Sequence, residues 1–521
     1  MILNKKCQSF WPKVAFLKKH YSHSSKNSTK WKSVVGLEVH AQIQTNSKLF
    51  SGAPTTFSSP VNNNVSLFDM ATPGTLPVLN KKCVEAGVLT ALSLNCTVNP
   101  VSYFDRKHYF YADLPSGYQI TQQRAPLASN GCLEFQVFSP GIHKVPYKAK
   151  VNIKQLQLEQ DSGKSLHDFD RSLVDLNRAG IPLMELVFEP DLVDGEEAAA
   201  LIKELMIILQ RIKTCSCKME EGALRVDANV SIHKKGEPLG TRTEIKNIGS
   251  VRGVAGAIKY EIERQINIKN NNGTISNETR AWNPEKKITV PMRDKEVQQD
   301  YRYMPEPNLP PLHIGMGPVK GGTINADEIK SQVPELPEET RVRLVKEFGL
   351  TSQQSIILVN DFHLQKLFEE TITGRTFNPS KFANFLIYEL YQCLNDKSMG
   401  VQDITFDLHY IADVMDMIEN ATINRTTAVL VLEELLQGNL KQPLKIVEDN
   451  NWRQISDESD LREICQQVMQ ENEKAVKDYL SGKEKVFKFL MKAVANKAGG
   501  KADMKKCVQI FKTLLLERLK K

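Results

Sequence analysis

The sequence predicts an α+β protein built in two styles: an antiparallel-sheet region from 33 to about 320, then all-α helical segments. Three observations lead there. Short stretches alternate apolar and polar residues with period two, as in "VVGLEVH" (34–40) and "ALRVDANVSIH" (223–233), the pattern of strands with one face buried. Turns rich in Gly, Pro and Asn join such stretches at short intervals, which favours hairpins over repeated βαβ units. After "PEPNLPPLHIGMGPVKGG" (305–322) nearly every segment takes on helical period.

At 521 residues, 41% of them hydrophobic, the chain can fill several cores. No run of eighteen apolar residues occurs, so membrane insertion is not expected. Nine scattered cysteines, an odd number, suit reduced thiols better than a disulfide framework. The net charge of +7 is unevenly spread. Residues 1–37 carry +8 with no acid and residues 481–521 carry +9, which leaves −10 on the body between them.

The acid-free leader, with Ser and apolar residues among its lysines, resembles an organelle-targeting presequence, although its cations are Lys where Arg is usual; 1–32 is therefore set outside the fold. In "VVGLEVH", Val35, Leu37 and Val39 point one way while Glu38 and His40 stand side by side on the other face. Asp194 and Glu197 have capping-box spacing before "AAALIKELMIILQRIK" (198–213), which predicts a helix. The strand at 223–233 follows; "KKGEPLG" then turns the chain into "TRTEIKN", and Ser250 caps a helix expected to reach about Gln265. "PEETRVRLVKEFGL" and "TAVLVLEELLQG" read as helices, the latter stopped by Gly438. A loop over 442–458, with Ser456 as a cap, separates the last helical segment. The expected domains are thus 33–320, 321–445 and 446–521.

Four segments present potential ligands in i, i+2 pairs: Glu38 with His40, Glu159 with Asp161 in "LQLEQDSGK", Asp175 with Asn177 in "SLVDLNRAG", and Asp227 with Asn229. Two readings compete. These are solvent faces of separate strands, or, if the strands share a sheet, they form one acidic patch. Such a patch suits Mg²⁺, which takes oxygen ligands and substrate phosphates; a lone imidazole among carboxylates also suits Mn²⁺ or a general base.

Phosphates would need cations, and Arg106, Lys107, Lys164 and Arg178 lie in or beside polar segments, with ordinary ion pairing as the competing reading. "SGKS" (162–165) fails as a P-loop because Leu158 stands where the motif needs glycine. For "YFYADLPSGYQ" (109–119) core packing is the expectation and base stacking the alternative. The tail "SGKEKVFKFLMKAVANKAGGKADMKK" interleaves Lys483, Lys492, Lys497 and Lys501 with apolar residues around the Gly499–Gly500 turn. Its charge on an otherwise acidic protein favours nucleic acid over a merely solvated face.

Several strings taken together, "VVGLEVHAQIQTNSKLFS", "FDRKHYFYADLPSGYQITQ", "SLVDLNRAGIPLMELV", "EGALRVDANVSI", "GTRTEIKNIGSV" and "DYRYMPEPNLPPL", resemble the GatB family, the B subunits of glutamyl-tRNA(Gln) amidotransferases, in its mitochondrial form. The resemblance implies a cradle domain distantly similar to glutamine synthetase and an appended helical tRNA-binding domain. It implies an ATP-dependent carbon–nitrogen ligase of the glutamine-hydrolysing class EC 6.3.5.-, which phosphorylates the γ-carboxyl of glutamate on tRNA(Gln) and lets ammonia displace the phosphate. Glu38, His40, Glu159 and Asp161 become the catalytic and Mg²⁺ candidates, with Asp175, Asp227 and Glu244 nearby. The implied partners are tRNA(Gln) and, completing a heterotrimer in the mitochondrial matrix, the glutaminase or A subunit together with the small C subunit. Some members carry C-x-x-C after "NNNV"; Ser66 and Asp69 stand at those positions, so no zinc is expected. The competing functions are a non-catalytic tRNA-binding scaffold of the same complex and a magnesium-dependent kinase or ligase for a free carboxylate, against which the basic tail argues.

Overall fold

The computed structural model describes residues 31–168, 170–292, 301–318, 322–375 and 377–519. The presequence expected over 1–32 lies outside them, except that Trp31 and Lys32 already belong to the first strand.

A nine-stranded sheet organises the region that precedes the helical segments. Its order is Ile288–Pro291, Thr279–Asn283, Thr243–Ile248, Leu224–Lys234, Trp31–Gln42, Pro182–Phe188, Tyr147–Gln160, Ala128–Val137 and Thr97–Val98. Neighbours are antiparallel apart from Thr243–Ile248 with Thr279–Asn283. Trp31–Gln42 occupies the centre. Because its side chains alternate, Val35, Leu37, Val39 and Ala41 are buried in the core while Glu38 and His40 line the other face. Val39 lies opposite Val226 and Leu37 opposite Ala228, so the apolar rows of adjacent strands coincide.

Three helices cover that apolar face: Lys81–Ser93, Gly195–Arg211 and Val251–Asn270. The Asp194 carboxylate accepts from the Glu196 and Glu197 N–H groups, each at 2.9 Å. Glu197 reaches back to the Val193 N–H at 3.0 Å, one residue further than a standard capping box. Gly195 rests against the main chain of Ala255, where a Cβ would collide with the carbonyl oxygen; the two helices touch there because glycine lets them. Ser250 caps its helix through the Gly253 N–H at 3.0 Å, and the helix continues to Asn270, five residues past its expected end.

The polar face is overlain by a small sheet of Arg302–Pro305, Asp105–His108 and Tyr118–Thr121. Gln119 ties it down by donating to the Gln160 carbonyl at 2.6 Å. Lys164–Asp168 and Arg171–Asp175 form a separate hairpin. The segment bearing Asp175 and Asn177 therefore does not share the sheet with the other three.

This compact unit ends at Thr340, because helix Ala326–Lys330 inserts Ala326 and Ile329 into the sheet's core. The unit beginning at Arg341 is helical and has two apolar cores, one between Leu344 and Val447 and one between Leu461 and Leu515. The loop expected over 442–458 contains helix Pro443–Asp449, started by proline in its first turn and held by buried Ile446 and Val447. Asp457, not Ser456, caps the next helix, accepting from Ser459 and Asp460. No described helix is long and apolar enough to cross a membrane. The eight described cysteines are free thiols, and burial pushes Cys83 and Cys96 up to about 12.

Candidate active site on the polar face of the sheet

Three neighbouring strands bring an imidazole and two carboxylates to one spot. His40 of Trp31–Gln42 lies directly opposite Glu185 of Pro182–Phe188, and Glu159 stands one strand further on, opposite Leu183. His40 Nε2 is 3.5 Å from Glu159 Oε1 and 4.0 Å from Glu185 Oε1. One ligand atom from each of the three lies within 4.8 Å of the others. The carboxylates are held in place: Gln157 donates to Glu185 Oε2 at 2.5 Å and to Thr121 Oγ1 at 3.1 Å, and Thr121 donates to Glu159 Oε2 at 3.3 Å. Gln155 in turn donates from Nε2 to the side-chain amide oxygen Oε1 of Gln157 at 2.6 Å.

The electrostatics favour an added cation. Burial, then the adjacent Glu185, hold the Glu159 carboxyl well above its ordinary range, with Lys107 working the other way. Burial also raises Glu38, helped by Glu185 and Glu244, although Asn229 donates to Glu38 Oε1 at 3.0 Å. Asp227 is raised by burial against the pull of Lys246 and His40. Three desolvated acids in one patch concentrate negative charge that a divalent ion relieves; the carboxylate oxygens suit Mg²⁺, and the imidazole nitrogen among them also suits Mn²⁺. Lys107, from the overlying sheet, is the facing cation. Burial disfavours its charge, yet Glu159, Tyr303 and Glu185 outweigh that and raise it, and its Nζ sits 4.5 Å above the Tyr301 ring.

Residues 33–319 match the GatB/GatE catalytic domain family, and residues 366–515 match the GatB domain family. The chain is 56% identical over 493 residues, 93% of each chain, to the B subunit of the mitochondrial glutamyl-tRNA(Gln) amidotransferase of Aedes aegypti. It is 46% identical to the human protein of the same name, over 92% of this chain and 87% of that one. With the B subunit of the aspartyl/glutamyl-tRNA(Asn/Gln) amidotransferase of Rickettsia canadensis it shares 43% identity over 92% of this chain and 96% of that one. The chain belongs to the GatB family.

In this GatB-family chain the sequence-derived candidates divide. His40 and Glu159 meet, Glu38 and Asp227 lie beside them, and Glu244 joins Asp227 through Lys246 at 3.5 and 3.6 Å. Asp161 sits outside the trio, in ion pairs with Arg225 at 3.1 Å and Arg178 at 3.7 Å. Asp175 accepts from the Asn62 and Asn177 N–H groups in the separate hairpin, whose exposed Lys164 is its cross-strand neighbour. Arg106 points away from the patch, because adjacent strand residues face opposite ways, and forks onto buried Glu306 at 2.6 and 3.1 Å. Arg178 donates to the Ser162 and Gly163 carbonyls. The aromatic run is not core: Phe110 is 86% exposed, and Tyr109 packs edge-on to Tyr301 beside Lys107. In the tail, Lys483 pairs with Asp478 and Lys497 with Glu471, Lys501 donates to the Asn451 carbonyl, and Lys492 is exposed.

Glu185 was missed by pairing residues i and i+2, since its own such neighbours are Leu183 and Val187. Its signal was a different one, a lone acid inside the apolar strand "PLMELVF". At the positions where some family members carry cysteines, Asp69 is buried in an ion pair with Lys48 at 3.0 Å, and the Ser66 N–H donates to it at 2.9 Å.

Proposed function

We propose that this chain converts glutamate esterified to tRNA(Gln) into glutamine, using ATP and ammonia from a partner glutaminase, in the mitochondrial matrix. It acts in a heterotrimer with the A and C subunits, as the component that activates the carboxyl group. The single observation that carries the reading is the convergence of His40, Glu159 and Glu185 on the polar face of a sheet that lies within the matched catalytic-domain region. The names of the relatives support the substrate, the compartment and the existence of partner subunits. We extend the reading to the fold, taking the large sheet, with its polar face beneath the small sheet, as a glutamine-synthetase-like cradle.

A carboxylate at neutral pH does not accept an amine, so it must first gain a leaving group. The glutamate γ-carboxylate attacks the γ-phosphorus of ATP, ADP departs, and ammonia then adds to the acyl carbon as phosphate leaves. His40, Glu159 and Glu185 would hold Mg²⁺, which neutralises charge as carboxylate and polyphosphate approach. Lys107 and Arg225 face the same patch and orient the phosphates. Glu38, whose carboxyl is raised by burial, is placed to take the proton that the attacking nitrogen must lose. Asp227 and Glu244 hold Lys246 as a further cation at the rim. The tail lysines, Lys492 and Lys501 foremost, track the tRNA backbone.

Reconstitution with the partner subunits tests this. ATP consumption that depends on mischarged Glu-tRNA(Gln) falls by at least a hundredfold in Glu185→Gln and His40→Ala if the reading holds. Unchanged turnover in both overturns it and leaves the scaffold role.

A further inference from the structure

Between Ser51 and Asn80 the chain carries one charged residue, Asp69, and that one is buried. The stretch is an ordered loop whose ends meet: the Val78 N–H donates to the Phe50 carbonyl at 3.0 Å, and the Asn80 N–H to the Leu49 carbonyl at 2.9 Å. Its middle is pinned from inside by the Lys48–Asp69 pair. Yet Phe57, Val61, Leu67, Met70, Leu76 and Val78 are each between 47% and 73% exposed. An ordered loop with no exposed charge that shows six large apolar side chains to water is costly unless something covers it.

The surface continues on the neighbouring hairpin. Asn62 donates to the Val174 carbonyl at 3.1 Å and the Asn64 N–H to Asn177 at 2.8 Å, and that hairpin presents Leu166 and Leu173 opposite each other, both half exposed. With about 200 Å² for a fully exposed large apolar residue, the six loop residues leave on the order of 700 Å² open. Each side of a stable protein–protein interface contributes about 800 Å².

We propose that this loop is the docking surface for the protein that supplies ammonia, an inference that rests on the function proposed above. Charge selects the class of partner. RNA and anionic membranes are held by Lys and Arg; the loop itself has none, and of the exposed Lys164 and Arg171 on the hairpin beside it Arg171 is paired with Asp168 at 3.2 Å. Depletion of charge with exposed aromatic and Met side chains, by contrast, marks the core of a protein interface. Position selects which protein. The loop forms one wall of a cavity of about 300 Å³, where Asp69 and Thr75 face Ser116, Gln160, Asp161 and Gly180, and Gln160 directly follows Glu159. A partner seated here abuts the end of the strand that carries Glu159, and an apolar seal keeps a volatile base from water.

The test uses the full-length chain with its partner subunits. Leu67→Asp with Leu76→Asp places charge on the loop without touching a buried side chain, and Leu440→Asp, on an exposed apolar residue of the helical unit, is the control. We expect the loop variant to bind the glutaminase at least tenfold more weakly and to lose glutamine-driven amidation, while amidation from added ammonium chloride stays within twofold and the control behaves as wild type. Wild-type partner affinity in the loop variant overturns the assignment. So does a selective loss of tRNA binding, or a dimer of this chain that the variant splits. If wild type fails to amidate even with ammonium chloride, the proposed function falls, and the binding measurement still decides the surface.

Discussion

Removing the carboxylate of Asp69 strands a buried ammonium, and the structure sets the size of the effect. Lys48 Nζ is fully buried, with Asp69 Oδ2 at 3.0 Å, the Asn64 carbonyl at 2.6 Å and the Leu176 carbonyl at 3.4 Å as its partners. Burial lowers its pKa and Asp69 is the main group that opposes this. Breaking a buried pair from one side costs about 3–5 kcal/mol. For a unit of this size that lowers the unfolding temperature by roughly 5–10 °C. Asp69→Ala is therefore expected to destabilise the sheet-bearing unit by that amount, read by thermal melting, and to unprotect the loop amides first, read by hydrogen exchange. Replacing both partners, Lys48→Met with Asp69→Leu, removes the stranded charge and recovers most of the loss. A loss below about 1 kcal/mol in Asp69→Ala refutes the reasoning, since the ammonium would then be hydrated or relocated.

Three further outcomes follow from the site and the tail. Glu159 is raised above the ordinary carboxylate value, so the native state holds its proton more tightly than the unfolded chain and metal-free stability falls as pH rises from about 4.5 towards the raised value. Glu159→Gln should therefore melt higher than wild type at pH 8 in EDTA, with the gain vanishing towards pH 4; equal melting at both pH values contradicts the assigned burial. Gln157→Leu removes the donor that orients Glu185 and Thr121 and should weaken Mn²⁺ binding, followed by EPR, about 10–100-fold, whereas an unchanged affinity rules out a positioning role. Lys492→Ala with Lys501→Ala should flatten the slope of log K against log salt for tRNA by roughly 1 to 2, and an identical slope removes those lysines from the phosphate path.

How far the site was legible depended on the range of the interactions. Alternation in 34–40 and 223–233 is local, and both strands formed with the expected residues on the expected faces. The order of strands is not local. Nothing near His40 announces that Pro182–Phe188 inserts between it and Glu159, and Glu185 became visible only through that register. Asp175 carried the same i, i+2 pattern as the others but ends a two-stranded hairpin, because pattern encodes the face and not the sheet. Lys107 and Arg106 are adjacent, yet one faces the patch and the other meets Glu306, two hundred residues away. The Pro443–Asp449 helix was hidden by its short length and the polar "EDNNW" at its end. The docking loop was legible in principle as thirty residues with one charge, but its exposure belongs to the folded state.

The central claim, that this chain activates the glutamyl side chain by phosphoryl transfer, is tested most directly by following oxygen. Mischarged tRNA(Gln) is prepared with ¹⁸O in the γ-carboxyl of its glutamate and turned over with ATP by the reconstituted complex. One labelled oxygen should appear in inorganic phosphate for each amide formed, with both products lost together in Glu159→Gln. Amide formation with unlabelled phosphate would contradict the account.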